Sequence, residues 1–300
     1  MRKRSHRARA ALAVATAAVL SLAGCDAFGG GGGGGTKDSG ASASRPSARP
    51  TPVWDRSPDS IAAVGDSITR GFDACAVLSD CPEVSWATGS DAKVDSLAVR
   101  LLGVTGAAER SWNFAETGAR MSDLPEQMAQ AATRGPELVT VMIGANDACR
   151  SSARAMTSVA AFRADFEEAL ATLRTALPKT QVYVASVPNL KRLWSEGRTN
   201  PLGKEVWKLG ICPSMLGNAD DLSGLATLRR DKVQKRVEAY NAVLKDVCAK
   251  NRRCRFDGNA VFDYRFDTEQ LSHWDWFHPG RNGQARLAEI AYRTVIAQKP

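Results

Sequence analysis

Histidine is scarce in this chain: only His6, His273 and His278 occur in 300 residues. His6 lies in a basic N-terminal segment, which leaves His273 and His278 for acid–base chemistry in a folded domain. The sequence has seven cysteines but no Cys-x-x-Cys pair. Because structural zinc sites are built from Cys and His at close spacing, we expect no metal site.

An excess of positive charge is almost absent once the N-terminus is set aside. The formal net charge is +8, from 40 Lys and Arg against 32 Asp and Glu. The first ten residues hold five of those cations and no acid, so the remainder carries 35 basic and 32 acidic residues, or +3. Nucleic-acid binding needs a basic face that this balance does not supply, and we exclude it.

No apolar run is long enough to cross a bilayer of about 30 Å. Residues 1–24 combine a basic start, ten residues (11–20) that are apolar apart from Thr16, and a small-residue end, and this pattern is typical of an export signal. The ending Leu22-Ala23-Gly24-Cys25 resembles a bacterial lipobox. The resemblance implies cleavage before Cys25, lipidation of its thiol, and anchoring to the outer face of the bacterial cell membrane. Ordinary secretion with an unmodified Cys25 is the alternative.

Residues 25–59 contain little that can form a core. Gly29–Gly35 is an unbroken glycine run, and residues 36–58 are rich in Ser, Thr, Ala, Pro and Arg. Such a segment cannot bury enough apolar surface to offset its ordering entropy. We predict a flexible linker with a reach of roughly 30 Å, followed by one domain over residues 60–300.

Apolar patterns in residues 60–300 alternate between strand and helix. The predicted strands are 61–65, 111–115, 138–143 and 182–187, and the predicted helices are 94–104, 124–133, 160–177, 232–250 and 283–297. Alternation of this kind predicts an α/β fold, a mainly parallel sheet covered by helices on both faces. The stretch 190–229 holds several Gly and Pro, and we interpret it as an irregular excursion that walls a cleft.

The six cysteines other than Cys25 favour disulfides, since their number is even and the chain carries an export signal. Cys75 with Cys81 and Cys248 with Cys254 are close in sequence, which would leave Cys149 with Cys212. Six cysteines allow fifteen pairings, so the residues alone leave the connectivity open.

Polar residues follow the predicted strands at the edge where parallel sheets form their sites. Gly65-Asp66-Ser67-Ile68 follows the first strand, Gly118 lies in the loop after the second, and Gly144-Ala145-Asn146-Asp147 follows the third. Ser67 is a candidate nucleophile, and the Asn146 amide is a candidate oxyanion donor. Helix capping by Asp66 and Ser67, and plain turn formation around Asn146, are the alternatives.

A fourth group lies near the C-terminus, where Asp275 precedes His278 by three residues. A carboxylate at this distance can hold one ring nitrogen, leaving the other to act as a base. His273 is the competing base, but Gln270 rather than an acid lies three residues before it. Trp274, Trp276 and Phe277 are interpreted mainly as packing residues.

Together the four groups resemble the SGNH hydrolases, also called GDSL esterases and lipases. The matching residues are Gly65-Asp66-Ser67-Ile68, where the family has Leu in the last position, then Gly118 with Asn113 upstream, then Gly144, Asn146 and Asp147, and finally Asp275 and His278. The resemblance implies a flavodoxin-like three-layer α/β/α sandwich and no organic cofactor. It also implies sequential disulfide pairing, Cys75–Cys81, Cys149–Cys212 and Cys248–Cys254, as in secreted actinobacterial members.

The resemblance assigns a role to each residue. Ser67 is the nucleophile, His278 the base and Asp275 its orienting acid, while the Ser67 and Gly118 N–H groups and the Asn146 side chain form the oxyanion hole. Asp66 and Asp147 are read as structural. The implied function is an extracytoplasmic serine esterase or lipase acting on lipid acyl esters, including phospholipids, and we expect a monomer. The alternatives are a polysaccharide or cell-wall O-deacetylase using the same site, and a non-catalytic lipid- or glycan-binding lipoprotein.

Overall fold

The computed structural model describes residues 54–298. The predicted export signal (1–24), the lipidation candidate Cys25 and most of the predicted linker lie outside the described residues. No helix in 54–298 is both long and apolar enough to cross a membrane.

Five parallel strands form the centre of the domain: β1 (Ile61–Gly65), β2 (Ser111–Asn113), β3 (Leu138–Met142), β4 (Gln181–Val184) and β5 (Cys254–Phe256). They lie in the order β2-β1-β3-β4-β5, and every neighbouring pair is parallel. All residues of β1, β3 and β4 are buried, as expected of a parallel sheet covered on both faces. The predicted α/β class is therefore confirmed.

The helices of the described chain are α1 (Ser67–Arg70), α2 (Leu97–Arg110), α3 (Leu124–Ala132), α4 (Ala145–Ala148), α5 (Val159–Ala176), α6 (Leu190–Gly197), α7 (Pro201–Trp207), α8 (Pro213–Leu216), α9 (Gly224–Ala249), α10 (Ala260–Asp263) and α11 (Arg281–Ile296), with 3₁₀ turns at Pro82–Val84 and Met121–Asp123. Helix α2 packs against α11, whereas α5 packs against both α3 and α9. The chain moves along the sheet in one direction from β1 to β2 and in the opposite direction in every later crossover. Because such crossovers are right-handed, α2 lies on one face of the sheet and α3, α5 and α9 lie on the other.

Helix ends differ from the predicted ends where a capping residue decides them. The hydroxyl of Ser96 accepts from the Val99 N–H and starts α2 at Leu97, three residues later than predicted. The hydroxyl of Ser223 accepts from the Ala226 N–H and starts α9 at Gly224, eight residues earlier. Strand β5 was not predicted, because its three residues are too few to show a period.

The stretch 190–229 was predicted to be irregular, and this was wrong: it holds α6, α7, α8 and the start of α9. The Asn189 and Asn200 side chains cap α6 and α7, and proline occupies an early position in α7 and α8. Those Asn and Pro residues start helices here instead of breaking them.

The linker was predicted to run to Asp59, but its last residues contact the domain. The Trp54 indole donates to the Val295 carbonyl at 2.9 Å, and the Arg255 guanidinium stacks 4.4 Å from that ring. The Asp55 N–H donates to the Gln181 side chain at 2.5 Å. Two residues of the predicted linker, Trp54 and Asp55, therefore pack against the domain.

Candidate active site

The order of the strands reverses next to β1, since β2 lies on one side of it and β3 on the other. Crevices form at such switch points, beyond the carboxyl ends of the strands. Ser67 follows β1 and Asn146 follows β3, so the topology brings both residues to one crevice.

Ser67 is the first residue of the short helix α1. Gly65 before it has φ of +146°, and a Cβ there would lie 2.1 Å from the Met142 carbonyl oxygen, so only glycine fits. Asp66 caps the helix, because one carboxylate oxygen accepts from the Ile68 N–H at 3.0 Å. The structural role read from the sequence for Asp66 agrees with this contact.

His278 connects Ser67 to Asp275. Its Nε2 lies 2.9 Å from the Ser67 hydroxyl oxygen, and its Nδ1 lies 2.5 Å from one Asp275 carboxylate oxygen. The other oxygen of Asp275 accepts from the backbone N–H groups of Phe277 and His278 at 2.9 and 3.0 Å. Asp275 is fully buried, and the Trp207 indole donates to its carbonyl at 2.7 Å. The imidazole is thereby held in one orientation with Nε2 towards the serine.

Electrostatics raise the pKa of the His278 imidazole above its ordinary value. Burial lowers the pKa of His278, but the charge and hydrogen bond of Asp275 outweigh it, with smaller contributions from Asp66 and Asp73, and the net pKa is raised. Burial raises the pKa of Asp275, yet the facing imidazole and the two backbone donors lower it below its ordinary value. A raised imidazole pKa is suited to a base that takes a hydroxyl proton.

Asn146 and Gly118 lie beside Ser67 in the same pocket. One Asn146 amide hydrogen is directed at the Ala119 carbonyl at 3.0 Å, and an amide has a second hydrogen for a ligand. Gly118 has φ of +88°, the left-handed region in which glycine is favoured. As the first helical residue, Ser67 has an N–H that no carbonyl of α1 can accept. These three donors can bind an oxyanion.

Neighbouring polar residues hold this edge together. The Asn113 amide donates to the Thr69 carbonyl at 3.0 Å, which ties β2 to the chain after Ser67. Asp147 accepts from the Met121 N–H at 2.9 Å, so the loops carrying Asn146 and Gly118 are joined. Both contacts are structural, as the sequence reading of Asp147 expects.

Two buried glutamines were not identified from the sequence. Gln127 accepts from the Gly65 N–H at 2.7 Å and donates to the Gly65 carbonyl at 3.0 Å. Gln284 donates to the Ile68 carbonyl at 2.8 Å and accepts from the Trp86 N–H at 2.9 Å. They hold the chain on either side of Ser67. The only sequence signal for either glutamine was that it is a polar residue on the apolar face of a predicted helix.

A cavity of about 210 Å³ opens onto Ser67 and His278. Its walls are mainly apolar and include Phe72, Leu190, Leu193, Ile211, Phe266, Leu271 and Phe277. Leu190, Leu193 and Ile211 come from the stretch 190–229, which was expected to wall a cleft. Carbon-rich walls around a few polar groups are typical of a small-molecule site.

The other residues named from the C-terminal motif lie around this cavity or outside it. His273 is exposed, packs against the Trp274 ring at 4.2 Å, and does not line the cavity. Trp276 packs against Gly203 of α7, and of the three aromatic residues only Phe277 lines the cavity. Neither tryptophan lines the cavity, in agreement with the packing role expected of them.

Within residues 54–298 three disulfide bonds are present: Cys75–Cys81, Cys149–Cys212 and Cys248–Cys254. This is the pairing that the family resemblance implies. Cys149 and Cys212 both line the cavity, so their bond joins the chain after β3 to the wall formed by the stretch 190–229.

Two groups in the described chain bring three metal-type ligand atoms within 4.8 Å of one another. One contains Cys75, Cys81 and Glu83, but both of its sulfurs are used in a disulfide. The other contains Asp73, Asp275 and His278, and there the His278 nitrogens already bond Asp275 and Ser67. The geometry of neither group is that of a free metal site.

Several solved structures resemble this chain at low sequence identity. A family 3 carbohydrate esterase from Clostridium thermocellum is 15% identical, with a TM-score of 0.47, and the match covers 79% of this chain and 94% of that one. A lipase from a goat rumen metagenome is 15% identical, with a TM-score of 0.46 and coverage of 77% and 94%. An extracellular lipase from Streptomyces rimosus is 19% identical, with a TM-score of 0.41 and coverage of 77% and 99%.

No curated protein matches the sequence significantly. The family model described as GDSL-like lipase/acylhydrolase matches residues 61–291, which is most of the chain and contains Ser67, Asn146, Asp275 and His278. The chain therefore belongs to the GDSL-like lipase and acylhydrolase family and is an ester hydrolase.

Proposed function

We propose that the protein is an exported serine ester hydrolase in which Ser67, His278 and Asp275 form the catalytic triad. The observation that carries this proposal is the hydrogen-bonded series from the Ser67 hydroxyl through His278 to buried Asp275, at 2.9 and 2.5 Å. The series opens into a cavity that Asn146 and Gly118 also line.

The first half of the reaction makes an acyl-enzyme. The Ser67 oxygen attacks the ester carbon while His278 Nε2 takes the hydroxyl proton, and Asp275 stabilises the resulting imidazolium. The carbonyl electron pair moves to its oxygen, where the N–H groups of Ser67 and Gly118 and the Asn146 amide bind it. Collapse of this intermediate expels the alcohol, which takes the proton from Nε2.

The second half returns the enzyme to its starting state. Water attacks the acyl-enzyme, and its proton passes to His278 Nε2. The second oxyanion collapses and breaks the bond to Ser67, whose oxygen recovers the proton as the carboxylic acid leaves. No redox or metal step is needed for the atoms to balance.

The cavity walls favour an acyl chain as the bound part of the substrate. Leucine, isoleucine and phenylalanine line it, and each buried methylene of a chain contributes about 0.8 kcal/mol. An acetyl group would leave most of that apolar surface uncovered. We therefore infer lipid acyl esters, including those of phospholipids, as the leading substrates over O-acetylated polysaccharides.

A membrane anchor is part of the proposal. The lipobox-like residues around Cys25 support lipidation and export, and three disulfides fit an oxidising compartment. An acylated Cys25 would keep the domain near a lipid surface, where a monomer suffices for catalysis. Mass spectrometry of Cys25 in the membrane fraction, and release of a Cys25→Ser variant into the medium, test this part.

Esterase activity is tested with Ser67→Ala. We expect the purified protein to hydrolyse p-nitrophenyl esters, and Ser67→Ala to lower kcat by at least about a thousandfold because the nucleophile is lost. Ser90→Ala, at an exposed serine, is the matched control and keeps full activity. Turnover that survives Ser67→Ala contradicts the proposed nucleophile.

Substrate class is tested with a panel of acetylated xylan, p-nitrophenyl esters of increasing chain length, triglycerides and phospholipid vesicles. We expect kcat/KM to rise from acetyl to longer acyl chains, since each added methylene contacts the apolar walls. A preference for acetylated xylan over every longer ester would identify the deacetylase alternative.

A further inference from the structure

A second aspartate shares the buried site of Asp275. Asp73 is only 2% exposed, and its carboxylate, that of Asp275 and a ring nitrogen of His278 lie within 4.8 Å of one another. Neither the sequence motif nor the proposed reaction uses Asp73. Two carboxylates this close and buried cannot both be ionised without cost, so one of them retains a proton more strongly than usual.

Contacts from several directions hold Asp73 in place. Its side chain accepts from the Leu78 N–H, and its N–H donates to the Ser79 carbonyl at 3.0 Å. The Ser272 hydroxyl donates to the Asp73 carbonyl at 2.6 Å, and Ser272 begins the loop that carries Asp275 and His278. Asp73 therefore keeps a fixed position relative to the triad.

We propose that Asp73 is a positioning residue for the triad. Its carboxyl group acts through Asp275, and whether it is protonated determines how much negative charge lies beside the imidazolium of His278. This rests on the proposed function of the triad. When ionised, Asp73 adds a second negative charge beside His278. When protonated, it donates a hydrogen bond to Asp275 and leaves the imidazolium with one facing charge.

The titration of these groups supports that role. Burial, followed by the charge of Asp275, raises the pKa of Asp73 to about 6, and the negative charge of Asp73 contributes to the raised pKa of His278. The ionisable groups that act on Asp73 are Asp275 and His278, and the charge of Asp66 also acts on His278. Protonating Asp73 therefore lowers the affinity of His278 for its own proton, and the three groups titrate as a coupled set.

The test is the pH dependence of kcat/KM in Asp73→Asn. In the wild type, activity requires neutral His278, so the acidic limb should have its midpoint above pH 6.5. An asparagine can still accept from Leu78 and donate to Asp275, but it never carries charge. We expect its acidic limb to move to lower pH by about one unit, with kcat at pH 8 several-fold lower. Glu83→Gln, at an exposed acid of the neighbouring 3₁₀ turn, is the control and leaves the limb in place.

A second measurement does not depend on turnover. The Cε1 proton of His278, followed by NMR in isotope-labelled protein, reports the imidazole titration directly, and its midpoint should fall in Asp73→Asn by the same amount. If no ester is hydrolysed but this midpoint moves, the proposed function fails and the role of Asp73 stands. If esters are hydrolysed and both the limb and the midpoint coincide with the wild type, Asp73 is merely structural and the proposal is overturned.

A metal site is the remaining alternative for this cluster. It predicts that EDTA abolishes wild-type activity, that Zn²⁺ restores it, and that Asp73→Asn abolishes zinc binding in calorimetry. That set of results would also overturn the positioning role. Full wild-type activity in EDTA, together with an acidic limb displaced to lower pH in Asp73→Asn, supports the positioning role.

Discussion

Asn146 shows how much of the site rests on single side-chain atoms. One amide hydrogen is held by the Ala119 carbonyl at 3.0 Å, which orients the group so that the second hydrogen can reach a ligand beside Ser67. A preoriented donor of this kind stabilises the transition state more than the bound substrate, since the charge on the oxygen develops only during the reaction.

Asn146→Ala should therefore lower kcat by roughly 10²–10³ while KM changes little. Asn146→Asp keeps the size of the side chain but replaces the donor with an acceptor, and we expect it to be at least as impaired. Steady-state kinetics on a p-nitrophenyl ester measure both variants. An Asp variant more active than the Ala variant would mean that shape, and not hydrogen-bond donation, is what the site requires.

At the scale of elements, the walls of the cavity depend on contacts far apart in sequence. Arg230 of α9 is buried beneath the Trp194 ring of α6, 4.1 Å from it, and donates to the carbonyls of Asp221 and Asn218 at 2.6 and 2.7 Å. The Cys149–Cys212 bond spans 63 residues and joins the same region to the chain after β3. Helices of four to eight residues are marginal alone, so these contacts stabilise α6, α7 and α8.

Removing this disulfide should affect both stability and substrate binding. Loop-closure entropy predicts that Cys149→Ala with Cys212→Ala lowers the free energy of unfolding by about 4 kcal/mol, and that it raises KM because the wall loosens. The matched control is Cys248→Ala with Cys254→Ala, whose bond spans six residues and lies outside the cavity. It should lower the free energy of unfolding by about 2 kcal/mol and leave KM unchanged. Urea unfolding and steady-state kinetics separate the two, and equal effects on KM would contradict the assigned wall.

At the scale of the whole molecule, several buried acids make stability depend on pH. Burial raises the pKa of Asp66 to about 7, and one of its carboxylate oxygens is buried without a hydrogen-bond partner. An acid with a raised pKa binds more protons when folded than when unfolded, so stability is lost as pH rises from the unfolded to the folded value. The raised pKa of Asp73 likewise lowers stability as pH rises from 3.8 to about 6. The raised pKa of His278 lowers stability further as pH rises above 6.5, the ordinary pKa of histidine.

The free energy of unfolding should accordingly be lower at pH 8 than at pH 5. Asp66→Asn removes one titrating group while its side-chain oxygen can still accept from Ile68, and we expect the pH 5 to pH 8 difference to shrink by roughly 2 kcal/mol. Urea titrations followed by tryptophan fluorescence measure it, with the exposed Glu83→Gln as control. A free energy of unfolding that rises from pH 5 to pH 8 would contradict the raised pKa values of Asp66, Asp73 and His278, since acids with a lowered pKa such as Asp275 titrate below this range.

Local sequence determined the strands β1, β3 and β4, the long helices, and the identity of Ser67, Asn146, Asp275 and His278 as candidates. Each of these depends on a periodicity or on residues a few positions apart. The export signal and Cys25 lipidation are equally local in sequence and stay predictions. Helices in 190–229 were missed because Pro can either start or interrupt a helix; the Asn caps and the packing of α6 and α8 against α9 favour the helices.

Tertiary structure alone decided what lies beside those candidates. Ser67 and His278 are 211 positions apart, and no local pattern places their side chains at 2.9 Å. Gln127 acquires its role at Gly65 only when α3 packs on β1, and Asp73 becomes part of the site only when its loop meets the one carrying Asp275. Short-range hydrogen bonds and apolar periodicity are encoded along the chain, whereas burial, charge proximity and the pKa values that follow exist only after distant segments pack together.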